Sequence, residues 1–225
     1  MSNSVIAYSK DWFEKHPKSE GFKTLELIEI TKKEDLNLEN LRKINPRYIF
    51  FPHWNWKVEP DIFEAFECVV FHTAPLPYGR GGSPIQNLII REFNNSPVCA
   101  LKMTDELDGG PIYDRQEISL DGNIDEIFSR IAKSVEDLIL KICRTNPTPL
   151  PQQGNIVSFQ RLSHADNQLL QGYSINELYD RIRMVDGESY RRAHIKFGDH
   201  KIEFYEAKLV NNELVAKIRI FKDVD

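Results

Sequence analysis

The chain has 225 residues, a hydrophobic fraction of 41%, a charged fraction of 28% and a formal net charge of −5. These values predict one sizeable domain with a true core, or one domain with a small appendage. The acidic balance argues against non-specific nucleic-acid binding, and no apolar run reaches the roughly 20 residues of a membrane-spanning helix. Three widely spaced cysteines in apolar surroundings, and no secretory signal, favour free thiols in a cytoplasmic protein.

The first part of the chain alternates short apolar runs with helical patterns. Residues 5–8 predict a first strand, residues 22–30 a strand nearer the sheet edge, and residues 47–51 a third strand. Between the second and third strands, residues 34–44 carry leucine and isoleucine at helical spacing. The third strand ends at residues 52–56 (PHWNW), which form either a hydrophobic plug over the end of the sheet or part of a binding site.

The stretch 71–84, FHTAPLPYGRGGSP, follows another apolar run and combines His72 with a loop rich in proline and glycine that carries Arg80. A polar residue at the end of a buried strand, followed by a rigid loop and a helix from about Pro84, is typical of the carboxyl edge of a parallel sheet, where functional groups gather. Taken alone, the same pattern also describes a surface connection with an incidental histidine.

The rest of the chain predicts a change of architecture near residue 150. A strand at 98–103 and a long amphipathic helix from 124 to about 143 extend the alternation, so we predict an α/β fold with a mostly parallel sheet and helices on both faces over residues 1–146. The proline-rich segment 147–154 predicts a linker. A helical pattern and two turn signals then predict a small α+β subdomain over residues 155–225.

Asp108 is the residue that gives His72 a potential partner. It lies 36 positions after His72, and Gly109 and Gly110 let the backbone approach another group closely. A carboxylate beside an imidazole favours the protonated imidazole, and such a pair can move protons or hold a developing oxyanion. The alternative is an ordinary turn residue, because spacing alone shows no contact. A metal site that adds His53 lacks close HxH or HxxxH spacing, so we predict none.

The loop after His72 resembles the signature of the 10-formyltetrahydrofolate-dependent formyltransferases, roughly N-x-H-P-S-L-L-P-x-x-R-G-x-x-P. The positions that match are His72, Leu76, Pro77, Arg80, Gly81 and Pro84. The sequence departs from the signature at residues 73–75, where TAP replaces PSL. A second family element, D-x-G-x-I, is met by Asp108, Gly110 and Ile112. The resemblance covers about residues 1–150 and implies a Rossmann-like formyltransferase catalytic core.

The resemblance also implies a mechanism. A primary amine attacks the formyl carbon, and His72, made cationic by Asp108, stabilises the oxyanion that forms. The family's catalytic asparagine lies two residues before the histidine, where this chain has Val70, which cannot donate a hydrogen bond. Either the enzyme is impaired, or another donor fills the space. Asn55 is our candidate, because its loop leaves the strand predicted to neighbour that of His72.

The ligands follow from the same resemblance. N10-formyltetrahydrofolate is the implied cosubstrate, with its pterin in a slot formed by Trp54, Trp56, Leu107, Gly109 and Gly110. The region after residue 154 is shorter than the domain that methionyl-tRNA formyltransferases add, and it resembles the region after the core of sugar formyltransferases. We therefore expect the acceptor to be a nucleotide-linked amino sugar used for bacterial surface glycans. The residues expected to contact it are Arg80, Arg181, Arg183 and Tyr190, although a solvated helix face and a packing tyrosine explain the last three equally well.

Three other functions stay open at this point. The chain could transfer the formyl group to another small amine or an aminoacyl acceptor, bind its ligands without turnover, or hydrolyse the formyl group to formate. In each case we expect small-molecule partners, no nucleic acid and no membrane, and the sequence leaves a homodimer open.

Overall fold

The computed structural model describes residues 3–9 and 11–223, which fall into two compact units. The first unit is drawn from Met1–Arg80, Ser96–Ile118 and Ser129–Ser158, and the second from Gly81–Asn95, Ser119–Phe128 and Phe159–Asp225. These boundaries differ from the predicted division at residues 146 and 155. The difference arises because two segments that precede residue 146, Gly81–Asn95 and Ser119–Phe128, belong to the same unit as the C-terminal residues.

The secondary structure alternates as the sequence predicts. The strands in the described residues are β1 (Val5–Tyr8), β2 (Ile28–Ile30), β3 (Ile49–His53), β4 (Cys68–Thr73), β5 (Tyr78–Gly81), β6 (Asn95–Lys102), β7 (Ile112–Ser119), β8 (Val157–Phe159), β9 (Ala193–Phe197), β10 (His200–Val210) and β11 (Glu213–Lys222). The α-helices there are α1 (Asp11–Lys15), α2 (Glu20–Lys23), α3 (Leu38–Ile44), α4 (Pro60–Ala65), α5 (Pro84–Ile90), α6 (Ile124–Thr145) and α7 (Ile175–Arg183). None of the described helices is long and apolar enough to cross a membrane.

The first unit is built on a six-stranded sheet with the order β2-β1-β3-β4-β6-β7. Strands β2, β1, β3 and β4 are parallel to one another, whereas β6 runs antiparallel to β4. All four residues of β1 and the first four of β3 are buried, as expected for parallel strands covered on both faces. The prediction of an α/β fold with a mostly parallel sheet is therefore confirmed.

Residues 22–30 do not form the long edge strand that their partial alternation predicts. Ser19 caps α2 by accepting a hydrogen bond from the Phe22 N–H on its side-chain oxygen at 3.2 Å, and Phe22 is buried. The strand is confined to β2, which does lie at the sheet edge. The first of these residues thus form a capped helical turn, although their alternation of apolar and polar side chains alone predicts a strand.

The segment 147–154, predicted to be a linker, is hydrogen-bonded to the first unit. Leu150 and Ile112 exchange two backbone hydrogen bonds of 2.8 and 2.9 Å, each donating its N–H to the other's carbonyl. Gln152 donates its side-chain amide to two further carbonyls of the same unit. The prolines stop α6, but the chain beyond them is held in place.

The second unit contains the antiparallel sheet β11-β10-β9 together with α5 and α7. Helix α7 begins at a capping box: Ser174 accepts a hydrogen bond from the Glu177 N–H, and the Glu177 carboxylate accepts one from the Ser174 N–H. The predicted antiparallel hairpins of the C-terminal region are present in this unit.

Candidate active site

His72 lies in β4 and is 8% exposed. Its Nε2 is 2.7 Å from the carbonyl oxygen of Gly79, and its Nδ1 is 3.5 Å from Oδ2 of Asp108. Because a carbonyl oxygen only accepts, Nε2 carries the proton in this conformation. The 3.5 Å distance is longer than a usual N–H···O bond but within the range of an ion pair. The structure therefore brings together the two residues that the sequence predicts to be partners.

Asp108 lies in the loop 103–111 between β6 and β7. Its backbone has a φ of 52°, in the left-handed region that costs roughly 1–2 kcal/mol for a residue with a Cβ. Gly110, two residues later, approaches β6 so closely that an added Cβ would lie 1.8 Å from the carbonyl oxygen of Lys102. The loop is thus compressed against the sheet, and this is the conformation that directs the Asp108 carboxylate toward His72.

A cleft of about 450 Å³ adjoins this pair, and we call it the tryptophan cleft. Its wall combines flat or aliphatic side chains with three carboxylates, those of Asp105, Glu106 and Asp108. The apolar part of the wall includes Trp54, Trp56, Phe63, Val70 and Leu107. The rings of Trp54 and Trp56 meet edge to face, with centroids 4.9 Å apart. Gly110 also lines the cleft. Such a wall suits a flat heteroaromatic ring with polar groups on one edge.

The predicted catalytic residues relate to the tryptophan cleft in different ways. Asp108 lines it, whereas His72 and Asn55 are not among the lining residues in the described chain. Asn55 is exposed, and its backbone N–H donates to Oγ of Ser9 at 2.9 Å. These observations give no support to Asn55 as the missing donor. Val70, at the position of the family's asparagine, lines the cleft with an apolar side chain.

Arg80, which we expected to contact the acceptor, is not among the described residues that line the tryptophan cleft. Its guanidinium is buried, donating from Nε and Nη2 to Oε1 of Gln152 at 3.1 and 2.9 Å and from Nη1 to Oε1 of Glu106 at 2.5 Å. Three of the five guanidinium N–H groups therefore already meet side-chain acceptors of this chain. The sequence could not reveal this, because Gln152 lies 72 positions away in a segment that looks like a linker.

The other three residues expected to contact the acceptor belong to the second unit. Arg183 is buried and donates to the carbonyls of Leu120 and Gly122 at 2.5 and 3.0 Å, so it is a structural residue and our expectation for it is corrected. The Arg181 guanidinium lies 4.2 Å from the centroid of the Tyr173 ring, as in a cation–π contact. These contacts explain both arginines without a ligand.

Tyr190 stacks on Phe128, with ring centroids 6.1 Å apart and an interplanar angle of 21°. Burial raises the pKa of Tyr190 above its ordinary value. The residue also lines a polar cavity of about 290 Å³ in the second unit. Packing against Phe128 accounts for the position of the ring, in agreement with the packing alternative drawn from the sequence.

Four other ionisable groups of the first unit, namely Glu67, Cys68, Cys99 and Lys102, are either paired or buried. Lys102, which lines the tryptophan cleft, forms an ion pair of 3.0 Å with Glu67. Although burial alone would raise the pKa of Glu67, hydrogen bonds from Tyr113 and Lys102 hold it below its ordinary value. Burial raises the pKa of Cys68 to about 12 and that of Cys99 to about 11. These thiols are therefore poor nucleophiles, and the described residues hold no cluster of three metal-binding side chains.

Comparison with known proteins adds independent information. A methionyl-tRNA formyltransferase from Campylobacter jejuni (strain RM1221) is 26% identical over 167 residues, covering 72% of this chain and 55% of that protein. One from Rickettsia prowazekii is 26% identical over 188 residues, covering 80% of this chain and 61% of that protein. The chain thus spans little more than half the length of these relatives. A family model described as the methionyl-tRNA formyltransferase C-terminal domain matches residues 164–221.

A solved structure decides the family. The methionyl-tRNA formyltransferase from Clostridium thermocellum is 38% identical, covers 99% of this chain and all of its own, and superposes with a TM-score of 0.91. The chain belongs to the formyltransferase family. The family resemblance of the His72 loop and the Asp108 element therefore extends to the whole chain, including the C-terminal region.

The same comparisons bear on the expected sugar acceptor. A sugar N-formyltransferase from Shewanella sp. FDAARGOS_354 superposes with a TM-score of 0.63 at 14% identity, covering 100% of this chain and 99% of that one. Similarity at that level shows the fold alone. The formyltransferases with higher identity are named for methionyl-tRNA, so the expectation of a nucleotide-linked amino sugar is not supported by them, nor is the expectation that nucleic acid plays no part.

Proposed function

We propose that this protein transfers the formyl group of N10-formyltetrahydrofolate to the primary amine of an aminoacyl acceptor, such as the methionyl group of methionyl-tRNA. The observation that carries the proposal is the Asp108 carboxylate on the wall of the tryptophan cleft, 3.5 Å from the imidazole of His72. The aminoacyl acceptor is supported by the 38% identity to a methionyl-tRNA formyltransferase over the full chain.

The tryptophan cleft fits the cosubstrate. A pterin is flat and apolar on its faces, as Trp54, Trp56 and Leu107 require, and it carries donors and acceptors along its edge that can meet the backbone of residues 104–110. Gly110 leaves the loop backbone uncovered by a side chain. N10-formyltetrahydrofolate supplies the carbonyl carbon that the acceptor amine attacks. Side chains of this protein carry out the proton transfer and the stabilisation of the oxyanion.

Asp108 is the member of the pair that reaches the substrates directly. In the proposed reaction the acceptor nitrogen bonds to the formyl carbon, and Asp108 takes the proton that this nitrogen loses. Asp108 then gives this proton to N10 as the carbon–N10 bond breaks, which regenerates the carboxylate. A positioned base of this kind contributes roughly 10²- to 10⁴-fold to the rate. The imidazole of His72 faces the Asp108 carboxylate through Nδ1 and stabilises its negative charge.

His72 stabilises the developing oxyanion only when Nε2 exchanges its hydrogen bond with the carbonyl of Gly79 for one with the substrate oxygen. Losing one oxyanion donor costs about 10²- to 10³-fold in turnover. Val70 contributes no donor at the position where the family has its asparagine. We therefore assign most of the effect of the pair to proton transfer at Asp108.

The decisive experiment is a formyl-transfer assay with N10-formyltetrahydrofolate and either methionyl-tRNA or a panel of nucleotide-linked amino sugars. We expect formyl-methionyl product with methionyl-tRNA, and a loss of at least about 100-fold in kcat for Asp108→Asn and His72→Gln. Product formed from an amino sugar instead would overturn the aminoacyl acceptor. Release of formate without any acceptor would show a hydrolase.

Val70 supports a second candidate, a binding module without turnover, because the family's amide donor is missing at that position. Saturable binding of tetrahydrofolate together with no product from any acceptor would favour this candidate. Product at a rate that depends on Asp108 would exclude it.

A further inference from the structure

We infer that Gln152 and Arg80 are positioning residues that hold the Asp108 carboxylate in its reactive place. The inference rests on the proposed formyl transfer, and it adds two residues that do not touch the tryptophan cleft. Neither residue is exposed, and both bond to the loop 103–111 that carries Asp108.

The side-chain amide of Gln152 is bonded on both sides. Its Nε2 donates to the carbonyls of Asp108 and Gly110 at 2.7 and 2.9 Å. Its Oε1 accepts from Nε and Nη2 of Arg80 at 3.1 and 2.9 Å. Carbonyl oxygens only accept and a guanidinium only donates, so the amide has one orientation that satisfies all four bonds. A carboxylate, a methyl group or a hydroxyl of the same size cannot do this.

Arg80 fixes the amide in turn and adds a second attachment to the loop. Its Nη1 donates to Glu106, two residues before Asp108, at 2.5 Å. Arg80 also follows Gly79, whose carbonyl accepts the hydrogen bond from His72. The Arg80 side chain therefore connects the backbone beside His72 with the loop that carries Asp108 at two places. One connection is the direct bond to Glu106, and the other runs through Gln152 to the carbonyls of Asp108 and Gly110. Arg80 and Gln152 together set the distance between the two catalytic groups.

The loop needs this restraint because its conformation is unfavourable by itself. Asp108 has a φ of 52°, and Gly110 sits against the Lys102 carbonyl with no room for a Cβ. A strained conformation persists only where surrounding contacts over-determine it. Gln152 binds the carbonyl of Asp108 itself and the carbonyl of Gly110. Loss of these two hydrogen bonds lets the Asp108 backbone relax, and its carboxylate then moves. A misplacement of about 1 Å can lower turnover about 100-fold.

The test replaces Gln152 with glutamate, which keeps the size and the acceptor for Arg80 but places an oxygen against the carbonyls of Asp108 and Gly110. Gln152→Met is the second variant, and it removes the donors without adding charge. Gln153→Glu is the matched control, because Gln153 is the exposed neighbour and carries the same change of charge. We expect kcat to fall about 30- to 100-fold in both Gln152 variants, with KM for both substrates within about threefold. The control should keep wild-type values.

Two further measurements separate positioning from general destabilisation. In an Asp108→Asn background, Gln152→Glu should lower kcat by less than about threefold more, because a residue that acts through Asp108 has no additive effect once the carboxylate is gone. The ring nitrogen resonances of His72, assigned with His72→Gln in histidine-labelled protein, should shift in Gln152→Met and stay unchanged in Gln153→Glu. Full additivity with Asp108→Asn, or unchanged His72 resonances in both Gln152 variants, would overturn the inference.

The resonance measurement needs no catalytic activity. If the wild-type protein forms no formylated product with any acceptor, the proposed function fails, while the His72 resonances still show whether Gln152 controls the pair. If product forms and the Gln152 variants match the wild type in kcat, the positioning role fails and the proposed function stands.

Discussion

Replacing Gly110 with alanine should displace the loop that carries Asp108. A Cβ at Gly110 would lie 1.8 Å from the Lys102 carbonyl oxygen, and real Cβ atoms essentially never come within 3.0 Å of another heavy atom, so loop and strand must separate by about 1.2 Å. Gly110 is not among the residues with positive φ, so the effect comes from this contact and not from backbone conformation.

The size of the effect follows from two terms. Overpacking of this kind costs about 1–3 kcal/mol. The separation also strains the hydrogen bond of 2.9 Å from the Lys102 N–H to the Pro111 carbonyl, which contributes about 0.5–1.5 kcal/mol. A total of about 2–4 kcal/mol corresponds to a fall in Tm of about 5–15 °C for a protein of this size. Because Asp108 moves with the loop, we expect turnover to fall about 100-fold.

Thermal unfolding and the formyl-transfer assay measure both effects, and Gly21→Ala is the control. A Cβ at Gly21 meets Nη2 of Arg144 at 3.5 Å, an ordinary contact, and the residue lies in α2, where alanine is favoured over glycine by up to about 1 kcal/mol. The control should have an equal or slightly higher Tm and normal turnover. If Gly110→Ala keeps the wild-type Tm and turnover, the loop is not held against the strand as described.

Three further predictions concern single residues elsewhere. Asn55→Ala should keep turnover within about twofold of wild type, since its side chain is exposed and does not line the tryptophan cleft; a loss of 100-fold would restore it as the missing donor. Burial holds the thiol pKa values at about 11–12, so a disulfide reagent at pH 8 should modify the folded protein at least about 10-fold more slowly than the unfolded chain. Rapid modification would contradict the burial of Cys68 and Cys99 and the partial burial of Cys143. Burial, assisted by the charge of Lys201, lowers the pKa of His194 below its ordinary value, so the unfolded state binds more protons below about pH 6.5 and stability should fall between pH 7.5 and 5.5. Urea unfolding of His194→Gln should show a weaker dependence over that range, and an unchanged dependence would show that His194 does not contribute.

The central sheet was predictable from the sequence because it depends on local signals, and the His72–Asp108 pair was predictable because two motifs resemble those of a known family. Apolar runs of Val, Ile and Phe predict the buried strands of the sheet. Polar residues at the ends of these runs predict the sheet edge at which functional side chains lie. The two residues do lie 3.5 Å apart. The antiparallel direction of β6 was not predictable, because hydrophobic periodicity is the same for either direction of a buried strand.

The roles of the arginines could not be read from the chain. A guanidinium next to a glycine-rich loop looks the same in sequence whether it faces a ligand or is buried. Arg80 is buried only because Glu106 and Gln152 arrive from 26 and 72 positions away, and Arg183 only because it caps the carbonyls of Leu120 and Gly122. Both sets of contacts depend on tertiary structure, which composition and spacing do not contain.

His72 and Val70 together change what the site can do relative to the signature it resembles. The signature implies that a histidine and an asparagine both donate hydrogen bonds to the oxyanion. In this chain the Val70 side chain has no donor, and the Nε2 proton of His72 points to the carbonyl of Gly79. The carboxylate of Asp108 is the part of the pair that borders the tryptophan cleft. In the proposed reaction, the rate enhancement by this pair depends on how accurately the loop 103–111 holds one carboxylate. We therefore expect the bonds from Gln152 to matter more than another donor at Asn55 would.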